Sequence, residues 1–273
     1  MKSKTLVAIS VLMLAMGQVS AQIPLPAASY YFNNTLAAQE GGVPALVPTD
    51  PLGTNGYLLQ SVFGQNRTVY AFNGNAIPNA NQAGLTLNTT GLVDPINYSA
   101  ELVFQFTERP NSWRRIIDVT NRQSDTGFYV NPTNNLAIFP TSGSSSLFTN
   151  DVYHHVVLTV TSGSTANGYL DGVLQFSTST ALMNINNVDN PGNLLHLFID
   201  NVVNLPIDEY SSGDIALFRL YDAVLSDTDV QTLAAAPFAV PEPSTVVLAS
   251  LAIAGFVGYR RLSNGRLKAG SRA

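Results

Sequence analysis

Between Ser29 and Tyr221 the chain runs in short stretches of β-branched and aromatic residues, broken by Asn, Gly, Ser, Thr and Pro. Such runs, bounded by turn-forming residues, are the pattern of strands in a sheet. It predicts strands near Ser29–Phe32, Tyr57–Val62, Val69–Phe72, Ser99–Phe106, Arg115–Val119, Gly127–Asn131, Leu136–Phe139, Val152–Thr161, Leu194–Ile199 and Ile215–Tyr221. A further pair falls in "NGYLDGVLQF", residues 167–176, where Asp171-Gly172 supplies the two positive φ angles that a two-residue type I′ turn requires. The segment 141–150, "TSGSSSLFTN", reads as a surface loop. Many short strands, polar turns and almost no helix amount to an all-β sandwich. One helix is expected in "VLSDTDVQTLAAA". Ser226 caps it, Asp229 completes a capping-box spacing, Leu225 can staple onto Val230, and Pro237 breaks it. With no internal repeat and no interior linker, residues 28–236 form one domain.

The two ends follow a different pattern. Lys2 and Lys4 precede an apolar run from Leu6 to Met16, and Val19-Ser20-Ala21 offers small residues at a cleavage site. This is the layout of a secretory signal peptide over residues 1–21, cut by signal peptidase between Ala21 and Gln22. Its run of about 11 residues is too short for a bilayer that needs about 20. At the other end, Val240-Pro241-Glu242-Pro243-Ser244-Thr245 cannot be helical through its prolines. An apolar run, 246–259, follows and then Arg260 and Arg261. Fourteen residues at about 1.5 Å each give about 21 Å, a marginal transmembrane helix that snorkelling arginines extend. The basic tail, 263–273, would stay cytoplasmic and the body outside.

Charge narrows the partners. Two of the 13 basic residues precede Gln22 and five follow Tyr259, leaving six arginines and no lysine in the body. All 18 acidic residues lie between Glu40 and Glu242, so the body carries a formal −12. Nucleic acid and anionic polymers are held mainly by cationic side chains and are unsuitable partners. A neutral polysaccharide, a cation or another protein fits better. The chain has no cysteine, which removes disulfides, thiol nucleophiles and thiolate metal sites together. Stability must come from the core, for which over 200 residues suffice.

The order of "YYFNNTLA", "VYAFNG", "SAELVFQF", "YHHVVLTVTSGSTANGYLDGVLQF" and "SGDIALFRLYDAVLSDTDVQTL" resembles that of laminin G-like, concanavalin A-like domains. The resemblance implies a two-sheet antiparallel jelly-roll sandwich, used mainly to recognise glycans or proteins and in some members to hydrolyse glycosides. A tryptophan often precedes the paired histidines in such domains, where this chain has Tyr153.

Catalytic chemistry finds little support. His154 and His155 are neighbours on a strand, so they point to opposite faces and cannot grip one metal together. Glu101 and Glu108 are the nearest approach to a glycosidase carboxylate pair. Retaining hydrolases resembling the laminarinase group carry Glu-x-Asp-x-x-Glu on one strand, a spacing absent here. Neither a Gly-x-Ser-x-Gly elbow nor a His-Glu-x-x-His run is present. The acid-rich stretch 198–214 offers hard oxygen ligands in Asp200, Asn201, Asp208, Glu209 and Asp214, of the kind calcium takes. The family resemblance adds that laminin G-like domains frequently hold calcium near a sheet edge. Tyr30, Tyr57, Tyr153, Tyr210 and Trp113 are available to stack on sugars, although aromatic residues of sandwich strands usually serve the core.

The Pro-Glu-Pro stretch, the apolar run and the arginines, residues 240–262, resemble the PEP-CTERM sorting signal. That resemblance implies passage across the inner membrane, recognition at Pro241-Glu242-Pro243 by an exosortase-type processing enzyme in an exopolysaccharide-making bacterium, and delivery to the cell surface or extracellular matrix. The tail after Arg261 is longer than such signals usually keep. The expectation is therefore an exported, non-catalytic surface or matrix protein whose jelly-roll domain binds a neutral exopolysaccharide or a surface protein, with membrane contact during sorting. The alternatives are a secreted glycoside hydrolase or lyase of the same fold, and a permanently anchored surface protein.

Overall fold

Asp171 and Gly172 both take positive φ, 51° and 82°, and turn the chain between strands that pair in the expected hairpin. The same logic of short strands and tight turns builds the rest. The computed structural model describes residues 22–74, 82–143, 145–162, 165–203 and 209–239. Its strands are β1 (Ala28–Tyr30), β2 (Val47–Thr49), β3 (Gly56–Val62), β4 (Gln65–Phe72), β5 (Gly84–Asn88), β6 (Tyr98–Phe106), β7 (Arg114–Asp118) and β8 (Phe128–Val130). They continue with β9 (Leu136–Ile138), β10 (Thr141–Ser142), β11 (His154–Val160), β12 (Thr165–Leu170), β13 (Val173–Ser179), β14 (Leu194–Leu197) and β15 (Gly213–Tyr221). Among the described residues one α-helix, α1 (Asp227–Ala235), follows them, and a short 3-10 turn, Thr180–Met183, lies between β13 and β14.

Two antiparallel sheets face each other. One runs β13-β12-β11-β6-β15-β4-β3, with β1 also paired to β15, and the other runs β10-β9-β8-β7-β14-β5-β2. The alternation of side chains sends Leu102, Phe104 and Phe106 of β6, Val156 and Leu158 of β11, and Phe218 and Leu220 of β15 into the space between the sheets. There they share one core cluster with Leu85 and Leu87 of β5, Phe128 and Val130 of β8, and Leu195 and Leu197 of β14. Phe198 takes φ 66° just past β14 and stacks its ring on Phe72, with centroids 4.1 Å apart. Gly84 is required where β5 passes β14, because a Cβ there would lie 2.1 Å from the Leu197 carbonyl oxygen.

On the other face of the first sheet lies a buried polar unit. Glu101 of β6 is fully buried and accepts from His155 Nε2 at 3.0 Å, Arg219 Nη1 at 3.2 Å and the Tyr221 hydroxyl at 2.5 Å. Arg219 also donates to the carbonyls of Pro237 at 3.0 Å and Ala239 at 2.9 Å, and to the Tyr31 hydroxyl at 3.0 Å. Phe238 between those carbonyls lies against Arg67, whose guanidinium carbon is 3.5 Å from the ring centroid. The segment after α1 is thereby strapped to β15. Removing one member of a buried ion pair costs about 3–5 kcal/mol, because the other charge is left uncompensated.

The helix begins as expected. Ser226 Oγ accepts from Asp229 N, Asp229 returns the bond to Ser226 N, and Val230 and Leu233 are buried. Three strands fall outside the expected set. β5, "GLTLN", pairs with both β14 and β2. β2 contains Pro48 and lies at a sheet edge, where a missing backbone donor is tolerated. β10 lies inside the expected surface loop, and Phe148 of that stretch is buried against Phe104 and His154. The expected signal segment with Ala21, the sorting stretch Val240–Thr245, the helix 246–259, Arg260, Arg261 and the tail 263–273 lie outside the described residues.

Candidate functional site

Arg115 organises the outer side of the second sheet. Residues alternate along β8, so Phe128 and Val130 enter the core while Tyr129 faces away, and Arg115 is its register partner on β7. A fully buried guanidinium needs partners for its fork of donors. Nη1 reaches Asp118 Oδ2 at 2.8 Å, and Nη2 reaches Asp200 Oδ1 at 3.0 Å, Asp125 Oδ1 at 3.4 Å and the Tyr129 hydroxyl. Glu209 Oε2 lies 3.8 Å from the same nitrogen. Arg122 holds the Asp200 backbone by donating from Nε to its carbonyl at 2.7 Å. Four carboxylates therefore surround two guanidiniums, and the cluster keeps an excess of negative charge.

Two oxygens in this cluster lack a donor. Asp200 Oδ2 and Glu209 Oε2 are buried acceptors without a hydrogen-bond partner. Burial and the nearby charges of Asp200 and Asp125 push the Glu209 carboxyl up to about 8, while Arg115 opposes them. A proton kept on Glu209 supplies the donor that two facing carboxylates otherwise lack.

Asp125 and Glu209 also form one wall of an open pocket of about 380 Å³, whose other walls are Trp113, Thr126, Tyr129 and Phe139. Trp113 stands edge-on to Tyr129 and to Phe139, with ring centroids 5.4 Å and 6.3 Å apart. Phe139 is 68% exposed, far more than an aromatic residue serving only the core. The pocket therefore pairs an apolar aromatic surface with a carboxylate edge, and its size falls within the usual range for small-ligand sites.

The residues expected to hold calcium part company. Asp200 and Glu209 do come together, but with Asp125, their ligand oxygens all within 4.8 Å of one another. Asn201 joins as a donor, its amide bonded to Asp125 Oδ1 and Asp200 Oδ1 at 3.1 Å each, and its carbonyl oxygen accepts from Val203 N. Asp214 is on β15, bonded to Gln105 of β6 at 2.8 Å. Asp208 lies outside the described residues. With a guanidinium 3.0 Å from Asp200 Oδ1, the group does not fit a dication that takes six to eight oxygen ligands.

Other expected residues serve the fold. His154 donates from Nδ1 to Asp171 at 2.8 Å and accepts Thr149 N at Nε2, whereas His155 turns to Glu101 on the other face. Glu101 is spent in its ion pair, and Glu108 accepts from Ser212 at 3.2 Å. Tyr30 is fully buried, Tyr153 nearly so, and Tyr57 packs edge-on to Tyr70. Tyr210 lies beneath the Arg109 guanidinium. Of the five aromatic residues considered for stacking, only Trp113 lines this pocket. Tyr129 and Phe139 were not singled out, although the exposed partner of a tryptophan at the end of a short strand is a usable signal.

Among solved structures, domain 4 of AbnA, a GH43 extracellular arabinanase from Geobacillus stearothermophilus described in complex with arabinotriose, is similar. It shares 19% identity at a TM-score of 0.54, over 78% of this chain and 100% of that one. A botulinum neurotoxin type C structure, whose cell entry is described as dependent on two ganglioside molecules, matches at 14% identity and TM-score 0.51, over 76% of this chain. The binding domain of Paraclostridial Mosquitocidal Protein 1 matches at 11% and 0.53, over 77%. This chain spans about half the length of the two toxin chains, 50% and 52%. These likenesses show the fold. No curated protein sequence matches the chain. Residues 239–261 match the PEP-CTERM protein-sorting motif. Residues 79–231, more than half of the chain, match the concanavalin A-like lectin/glucanases superfamily, and the chain belongs to that family.

Proposed function

We propose that this chain is an exported, non-catalytic protein of the cell surface or extracellular matrix that binds glycan in the Trp113–Tyr129–Phe139 pocket. The observation that carries this reading is the pairing of three aromatic side chains with the Asp125 and Glu209 carboxylates around one open cavity. A sugar ring offers an apolar C–H face for the rings and hydroxyl donors for the carboxylates. Support also comes from the arabinotriose and ganglioside described for two structures of this fold. The sorting motif supports export, with signal peptidase acting at Ala21–Gln22, an exosortase-type enzyme reading Pro241-Glu242-Pro243, and transient membrane contact through 246–259.

One observation favours a hydrolytic reading: Asp125 and Glu209 share a cleft, and Glu209 holds its proton to about 8, as a general acid must. Against it, Arg115 lies within 3.8 Å of both carboxylates and ties them to one wall rather than leaving them on two sides of a substrate. A single experiment tests both readings. Protein from the native host is incubated with that host's exopolysaccharide, and co-sedimentation and reducing ends are followed together. Retention without reducing-end release, lost in Trp113→Ala, is the expected result. Steady release overturns the non-catalytic reading, and retention unaffected by Trp113→Ala moves binding away from this pocket.

A further inference from the structure

The glycan reading leaves the charge of the sugar open, and the pocket bears on it. Two independent features point the same way. The first is the cluster behind the pocket wall, in which Asp118, Asp125 and Asp200 outnumber Arg115 and Arg122 even while Glu209 keeps its proton. Asp200, with a side chain 1% exposed, has only the Glu209 proton to meet Oδ2 inside that cluster. The second is the aromatic wall. The faces of Trp, Tyr and Phe rings carry partial negative charge and attract cations, most strongly where water is excluded. The Tyr129 ring already has the Arg115 guanidinium carbon 4.7 Å from its centroid, so the negative potential of the cavity comes from Trp113, Phe139 and the Asp125 carboxylate, and no lysine in the body offsets it.

Resting on the proposed glycan reading, we infer that the pocket selects a sugar carrying a free amino group, whose ammonium sits between the aromatic wall and the Asp125 carboxylate, with Glu209 beside it. The ammonium brings the single positive charge that the cluster lacks, with donors for the Asp125 oxygens. A dication would lie against the Arg115 guanidinium, whereas a singly charged group with directional donors can stay on the pocket side of the carboxylates. A lysine side chain carries the same charge but has no ring to cover three aromatic residues, so the glycan is the better match to the whole cavity.

The test compares oligomers of glucosamine with N-acetylglucosamine oligomers of equal length, titrated calorimetrically into the full chain in mild detergent. The free amine is expected to bind about tenfold tighter at low salt, in line with one cation–π contact and one ion pair. That advantage shrinks as salt screens it. Asp125→Asn, at a side chain 59% exposed, weakens binding of the glucosamine oligomer far more than that of the acetylated one and so removes the preference. Trp113→Ala weakens both, with an unchanged melting temperature. Equal binding of the two sugars, still sensitive to Trp113→Ala, overturns the inference and leaves the glycan reading standing. Binding of neither sugar overturns both. Poly-lysine bound at this pocket while glucosamine oligomers are refused overturns the inference in favour of a basic peptide. A preference that vanishes with chelator and returns with calcium overturns it in favour of a metal-bridged ligand.

Discussion

Two buried carboxylates in this protein are pushed in opposite directions by their surroundings. Burial acts to raise both. At Glu101 the bonds from His155 and Tyr221 and the charge of Arg219 outweigh it and hold the group below its ordinary value. At Glu209 the charges of Asp200 and Asp125 add to burial, and Arg115 falls short of offsetting them. A carboxyl raised from 4.5 to about 8 binds more protons folded than unfolded across that interval. Its contribution to stability is therefore full below about 4.5, declines as pH rises toward about 8 and is lost above it. Urea midpoints over this range should show a decline that Glu209→Gln flattens, and a slope unchanged in the variant rules out the raised carboxyl. Little of this site was legible in the sequence. Its residues come from separate turns and strand ends at 113, 125–129, 139, 200 and 209, so no spacing marks them, and Arg115 meets Asp200 only once β7 and β14 pair. Asp200 and Glu209 could be noticed as acids in one loop, but whether a metal or a guanidinium stands between them is decided by register.

At the scale of elements, the sequence marks structure plainly where a few adjacent residues carry the whole signal. Asp171-Gly172 makes a hairpin wherever it falls between strands, and Ser226 with Asp229 forms its box without help from the rest of the fold. β5 carries a weak signal, five residues beginning with glycine, even though Leu85 and Leu87 have the right period. β2 and β10 exist by pairing at sheet edges rather than by any pattern of their own. The helix is a dependent element too. Tyr169 of β12 donates to Asp227 at 2.7 Å, and a Cβ on Gly172 would meet Ala234 at 3.0 Å, so α1 lies against the hairpin turn. Ser226→Ala removes the cap and should cost about 1 kcal/mol, seen as a lower denaturation midpoint at unchanged slope. No change in midpoint would show that the contacts to the hairpin, rather than the cap, hold the helix start.

For the molecule as a whole, the described domain runs to Ala239, the residue at which the matched sorting motif begins. Processing at both ends is checked by intact mass of the protein recovered from its native host. The expected species begins at Gln22 and lacks everything from about residue 246 onward. A mass that retains Arg272 on surface material identifies a permanently anchored protein instead. In either case the strap at Pro237–Ala239 decides how the body bears load. The carbonyls of Pro237 and Ala239 are gripped by Arg219, and Arg219 belongs to β15, which has β6 on one side and β4 and β1 on the other. Tension applied beyond Ala239 is passed to the middle of a sheet, where neighbouring strands must shear together, instead of to an edge strand that unzips one bond at a time. A domain pulled by this end should therefore hold together until β15 shears from its neighbours.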